Sequence, residues 1–191
     1  NYKFGELLRN TLTISGLTLL IGFPMPIIFA LLLNEVKCIR FKKSVQTITY
    51  MPHFISSVVF VSILNVFVSS NGVINELLVT FGKEPIQFMI TPKYFPWIYV
   101  FTTIWQQLGW DSIIYISAIA GVDQELYEAA RVDGANRFQL MKSVTLPGIA
   151  STIVVLLIMK VGQLLTVGYE KIILMYNPAI YETADVISTY V

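Results

Sequence analysis

Charge is what this sequence has least of. Only 13% of its 191 residues are Asp, Glu, Lys or Arg, against roughly a quarter in ordinary globular domains. A water-soluble surface needs more charge than that. Together with 55% hydrophobic residues and a mean hydropathy of +0.67, the deficit places the chain in the membrane class. With a net charge of +1 there is no basic footprint for nucleic acid. One cysteine, Cys38, excludes an internal disulfide and reads most simply as an inert residue. His53 is the only histidine, and Ser56 and Ser57 lie close to it, but adjacency in sequence is not the geometry of a triad. Neither a Gly-x-Ser-x-Gly elbow nor a phosphate-binding P-loop occurs. No catalytic, cofactor or metal site is expected, and the chain alone should hydrolyse nothing. The first residue is Asn1 and the last stretch, "DVISTYV", resembles the start of a further apolar segment. The expectation is one transmembrane domain over 1–191, an internal piece of a longer protein.

Apolar length is what the chain does have. A bilayer-spanning helix needs about 20 residues, and four segments qualify: 12–33, 50–68, 95–121 and 147–168. None alternates as a barrel strand would. The fold class is therefore all-α, a polytopic helical bundle. Pro24 and Pro26 should kink the first span, because each removes a backbone donor. The loop "NEVKCIRFKKS" carries Lys37, Arg40, Lys42 and Lys43, and the segment after Gly121 carries Arg131, Arg137 and Lys142. The loop 69–94 has only Lys83 and Lys93. Basic residues near helix ends mark the cytoplasmic side, which puts 34–49 and 122–146 inside and 69–94 outside. Asn75 and Gln139 should then be open to labels from opposite faces.

The polar stretch 122–144 interrupts two apolar segments and reads as two short helices. Asp123 is a plausible N-cap, "QELYEAARV" is built mostly of good helix formers, and Gly134 stands where a left-handed residue is wanted. "ANRFQLMKSV" continues as the second helix, and Pro147 opens the next span. Leu126, Ala129, Ala130 and Val132, with Phe138, Leu140 and Met141, offer apolar or small contacts to a partner.

The pattern of Glu128, Ala129, Ala130, Gly134, Val144, Leu146 and Pro147 resembles the cytoplasmic loop of ABC importer permeases, with valine at 144 where isoleucine is usual. "RNTLTIS", "YMPHFIS" and "GWDSIIYISAIAGVDQELYEAARVDGA" resemble the sugar-importer branch, for oligo- or polysaccharides, in the group that pairs two different permease subunits. Six helices are usual there, so the first and last are expected to lie outside this chain. The resemblance implies a multi-pass permease of the bacterial cytoplasmic membrane. Its implied partners are a second permease, ABC ATPase subunits, an extracellular solute-binding protein, the lipid bilayer and the sugar itself. Glu128, Ala129, Ala130, Gly134, Leu146 and Pro147 would couple ATPase closure to the membrane helices. A non-sugar importer permease, or an ion-coupled secondary transporter, is the alternative reading. The latter should show an inverted repeat or paired broken helices, and neither is visible.

Two charges fall inside apolar spans. Lys160 lies ~20 Å along a helix from Pro147, and Asp111 ~15 Å from Gly121, at ~1.5 Å per residue. Neither should face lipid. Either they pair with each other or with Gln106, Gln107 and Gln163, or Asp111, Lys160 and Gln163 line the sugar path, where Lys160 would favour uronates. His53 reads mainly as a polar residue at a helix end, and the third span's aromatics as packing and interface anchors.

Overall fold

The structure is a computed structural model that describes residues 2–190. All regular elements among them are helical. In chain order they are α1 (Tyr2–Leu17), α2 (Pro24–Glu35), α3 (Ile39–Tyr50), α4 (Ser57–Val68), α5 (Val73–Thr80) and α6 (Phe95–Ala120). There follow α7 (Gln124–Val132), α8 (Arg137–Leu140), α9 (Leu146–Gly148) and α10 (Ala150–Gly162), then α11 (Tyr169–Leu174), α12 (Tyr181–Ala184) and α13 (Ile187–Tyr190).

The span limits shift from those expected. The first apolar run covers Lys3–Glu35 and the second Ser57–Thr80. Pro52 sits in a 3₁₀ turn, Met51–Phe54, that ends α3, so the second run starts later than residue 50. The last is a bent pair, Arg137–Gly148 and Ala150–Gly162, with 62° between its halves, and it ends short of residue 168. By length and composition two helices, or three with the bent pair, can cross a membrane. The 26 residues of α6 reach ~39 Å, but α6 is not among these apolar helices, so the four spans expected are not all found. Its Gln106, Gln107 and Asp111 make it the least apolar of the four.

Pro24 and Pro26 follow a π-turn, Thr18–Gly22, inside the continuous apolar helix Lys3–Glu35. Phe23, just before them, keeps helical dihedrals, and its N–H donates to Leu19 O at 3.1 Å. The prolines have no N–H to give the preceding turn, and the ladder is irregular there.

Two compact units are present. One contains the chain up to Thr18, Phe54–Thr103 and the chain from Gln163. Its core gathers Ile14, Phe60, Phe95, Tyr99, Ile172 and Val186. Its N- and C-terminal segments are clipped together. The Asn10 amide donates to the carbonyls of Glu182 and Asp185 at 2.8 and 3.0 Å, and Ile187 N–H donates to Thr11 Oγ1 at 3.0 Å. The loop beyond α4 is locked by Asn75. Its Nδ2 donates to Ser69 and Ile86 carbonyls at 2.8 and 2.9 Å, and its Oδ1 accepts from Ile86 N–H at 2.7 Å. At 1% exposure Asn75 is a buried clamp, not the open labelling position expected of an outer loop.

The second unit contains Leu19–His53 and Ile104–Gly162. Ala30, Leu31, Tyr115, Ile119, Tyr127 and Ile149 form its core. Gly109 of α6 lies directly against the backbone carbonyl of Thr49 in α3, an approach that leaves no room for a Cβ. Large apolar side chains stay uncovered along α2 (Ile28, Leu32), α4 (Val58, Ile63, Val66) and α10 (Val154, Ile158, Met159). Continuous apolar faces of this kind suit lipid or other membrane helices and not water.

Candidate functional site

The segment after α6 is fixed mainly by its own caps. Asp123 Oδ1 accepts from Glu125 N–H at 2.9 Å, so α7 begins where expected. Its end is a Schellman closure. Ala135 N–H donates to Ala130 O at 2.9 Å and Gly134 N–H to Arg131 O at 3.0 Å, with Gly134 at φ +82°. The second helix starts at Arg137, two residues later than expected, because Asn136 and Gln139 form a capping box: Gln139 N–H donates to Asn136 Oδ1 at 3.0 Å, and Asn136 N–H to Gln139 Oε1 at 2.7 Å. The helix then widens into a π-turn, Met141–Thr145, before α9 and the 62° bend. Pro147 explains the irregularity, since it has no N–H to give Ser143 O.

These caps divide the apolar side chains between two faces. Tyr127, Leu140 and Val144 are buried among Ile119, Val122 and Ile149, and the Tyr127 and Thr145 hydroxyls are hydrogen-bonded at 2.9 Å. Ala130 and Met141 pack partly on the same cluster. Leu126, Val132 and Phe138 point outward, the last two 88% and 72% exposed. The apolar set therefore serves two surfaces, not the single contact face expected. Glu128 and Ala129 share the exposed side, and Glu128 has no ion-pair partner among the described residues. Leu146 is half-buried and Pro147 exposed at the start of α9. A Cβ on Gly148 would meet Val122 Cγ2 at 2.8 Å, so the two ends of the segment are closely packed. Arg137 Nε stands 3.9 Å from Glu35, an exposed pair worth at most ~1 kcal/mol.

The two charges expected inside apolar spans meet. Lys160 Nζ of α10 donates to Asp111 Oδ2 of α6 at 3.3 Å, with the side chains 50% and 29% exposed. The pair is closed on one side and open on the other. Gln163 stands in the turn after α10, assigned to the other unit, with its carbonyl accepting from Thr166 N–H at 2.8 Å. His53 lies flat on Trp110, ring centroids 4.2 Å apart, and its Nδ1 is 3.0 Å from Gln107 Oε1. Both contacts hold the ring in place.

Lys171 was not singled out by sequence, because it follows the last apolar segment like an ordinary solvated base. In the structure it is only 9% exposed. Its Nζ donates to Thr103 Oγ1 at 3.2 Å and lies 4.5 and 5.5 Å from the ring centres of Phe60 and Tyr99. No carboxylate among the described residues pairs with it. Burial pushes the amine down to about 7, and the two rings work in the opposite direction, favouring the cation.

Residues 22–167, which hold the capped helices α7 and α8 and the Asp111–Lys160 pair, match the model of the binding-protein-dependent transport system inner membrane component family. The chain belongs to that family. Among similar members, the polygalacturonan/rhamnogalacturonan transport system permease protein YteP of Bacillus subtilis (strain 168) is 49% identical over 98% of this chain. Protein LplB of the same organism is 46% identical over 100% of this chain. The chain spans 59% and 60% of those two proteins. A chain in the crystal structure of a bacterial ABC transporter involved in the import of the acidic polysaccharide alginate superposes with a TM-score of 0.96 at 49% identity, over 100% of this chain and 67% of that one. A second structure of a bacterial alginate ABC transporter, in complex with an alginate pentasaccharide-bound periplasmic protein, superposes equally well.

Proposed function

We propose that this chain is part of a non-catalytic permease subunit of an ATP-driven importer for oligo- or polysaccharides, acidic ones in particular. It lies in a bacterial cytoplasmic membrane, crossing it several times, with residues 34–49 and 122–146 in the cytoplasm. A second permease completes the path, separate ATPase subunits drive it, and a solute-binding protein delivers sugar from outside. The observation that carries this reading is the doubly capped helix pair α7–α8. It offers Leu126, Val132 and Phe138 to a partner while Tyr127 and Leu140 root it in the membrane unit.

The mechanism follows from that geometry. Glu128, unpaired and exposed, can take a charge-assisted hydrogen bond from a partner Arg or Lys. Ala129 allows close approach to a partner cleft. Closure of the ATPases presses on α7. The Schellman turn at Gly134 and the Tyr127–Thr145 bond carry the push into α8. Leu146 and Pro147 pass it across the 62° bend to α10, which holds Lys160. Asp111, Lys160 and Gln163 are assigned to the translocation path, where the ammonium of Lys160 suits a uronate carboxylate. The chemistry of the sugars named for the relatives, alginate and polygalacturonan, supports that assignment.

The test is reconstitution. The full-length subunit, with its partner permease, ATPases and binding protein, is placed in liposomes and offered uronate and neutral oligosaccharides. ATP-driven uptake that prefers the uronates is expected. Uptake driven by an ion gradient without ATP would sink the reading.

A further inference from the structure

Between the coupling segment and the end of α2, the second unit holds a cleft of about 490 Å³, the liquid volume of roughly sixteen waters. Lys37, Arg131 and Arg137 line it against one carboxylate, Glu35, while Ile119 and Leu140 give it an apolar part. These cations are not consumed locally. Lys37 and Arg131 form no ion pair among the described residues. Arg137 approaches Glu35 only through Nε, at 3.9 Å, which is beyond hydrogen-bond reach and leaves its other donors open.

Helix ends offer the plainer account of why cations gather here. The C-terminal ends of α2, α6 and α7 each supply about half a negative charge, and the N-terminal end of α7 about half a positive one. Set beside three cations and one carboxylate, these ends still leave roughly one unit of positive charge. A phosphodiester carries one negative charge, and basic pockets at the cytoplasmic ends of membrane helices are of the type that hold lipid headgroups.

We propose that this cleft is a binding site for a phosphate-bearing anion, an anionic lipid headgroup or a soluble phosphate, with Lys37, Arg131 and Arg137 as its ligands. The occupant bridges the end of α2 to α7 and α8 and so stiffens the coupling segment. The inference rests on the cytoplasmic placement of that segment in the proposed function.

Native mass spectrometry of the full-length importer complex tests it, with short-chain phosphatidylglycerol and, separately, inorganic phosphate as probes. Wild type is expected to retain phosphatidylglycerol. Lys37→Gln/Arg137→Gln should weaken it roughly thirtyfold, while Lys37→Arg/Arg137→Lys, with both charges kept, should restore it. Displacement of the lipid by inorganic phosphate would support the site with a soluble ligand as its source. Equal retention by wild type and Lys37→Gln/Arg137→Gln would overturn the proposal, as would equal affinity for zwitterionic phosphatidylcholine. The readout needs no transport. Charge-dependent lipid binding in a complex that cannot use ATP would refute the importer reading alone, and ATP-driven uptake with charge-independent lipid binding would refute this site alone.

Discussion

Removing the lysine of the Asp111–Lys160 pair should hurt more than removing the aspartate, and removing both should hurt less than removing the lysine alone. At 3.3 Å the gross attraction is ~5 kcal/mol for an effective dielectric near 20. Desolvation cancels part of it, and the half-open side of the pair reduces it again. Lys160→Met strands the Asp111 carboxylate inside the membrane at ~2.5–3.5 kcal/mol on insertion scales. Asp111→Asn strands a lysine whose stem can carry its charge toward an interface, so ~1 kcal/mol is expected. The double variant leaves neither charge stranded and should lie near ~1 kcal/mol, which makes the coupling about 2.5–3.5 kcal/mol. Unfolding in mixed micelles measures all four proteins, and uptake in liposomes is read on the same preparations. If the pair only joins α6 to α10, transport recovers with stability in the double variant. If Lys160 serves the sugar path, stability recovers and transport does not. Additivity of the two single variants within ~0.5 kcal/mol would refute the claim that the charges depend on each other.

Three further outcomes are expected. Glu128→Ala and Gly134→Leu should lower uptake-coupled ATPase activity while membrane insertion, read by protease protection, is unchanged. At Gly134 a side chain has space but the φ of +82° is unfavourable by ~1–2 kcal/mol, so the damage is to the turn and not to packing. Gly109→Ala should destabilise the chain by more than a helical glycine-to-alanine change could return, since its Cβ falls on the Thr49 carbonyl; melting in detergent above the wild-type temperature would contradict that contact. Lys171 makes stability depend on pH. Its folded-state value lies near 7, below the ordinary 10.5, so the unfolded chain binds more protons between the two, and stability rises with pH across that window by up to ~1.4 kcal/mol per unit. Denaturant titrations at several pH values check the slope, and Lys171→Met should flatten it.

Local chemistry made much of this protein legible from its sequence. Long apolar runs force helices, because backbone groups in hydrocarbon must bond within their own segment. The α7 boundaries were readable because Asp123 and Gly134 act within a turn of their own positions. The same logic failed where a nearby signal was read too simply: the Asn136–Gln139 box starts α8 two residues late. What tertiary structure alone decided is which distant groups meet. Counting helix rise led to the expectation that Asp111 and Lys160 lie at similar depth, but their 3.3 Å contact depends on how α6 and α10 pack. Asn75 read as an exposed loop residue and is a buried clamp, because its partners Ser69 and Ile86 come together only when the loop closes. Lys171 drew no attention in the sequence and lies against Phe60, Tyr99 and Thr103, residues 68 to 111 positions away. A charge's partners are set by packing between segments, and no spacing within one segment encodes them.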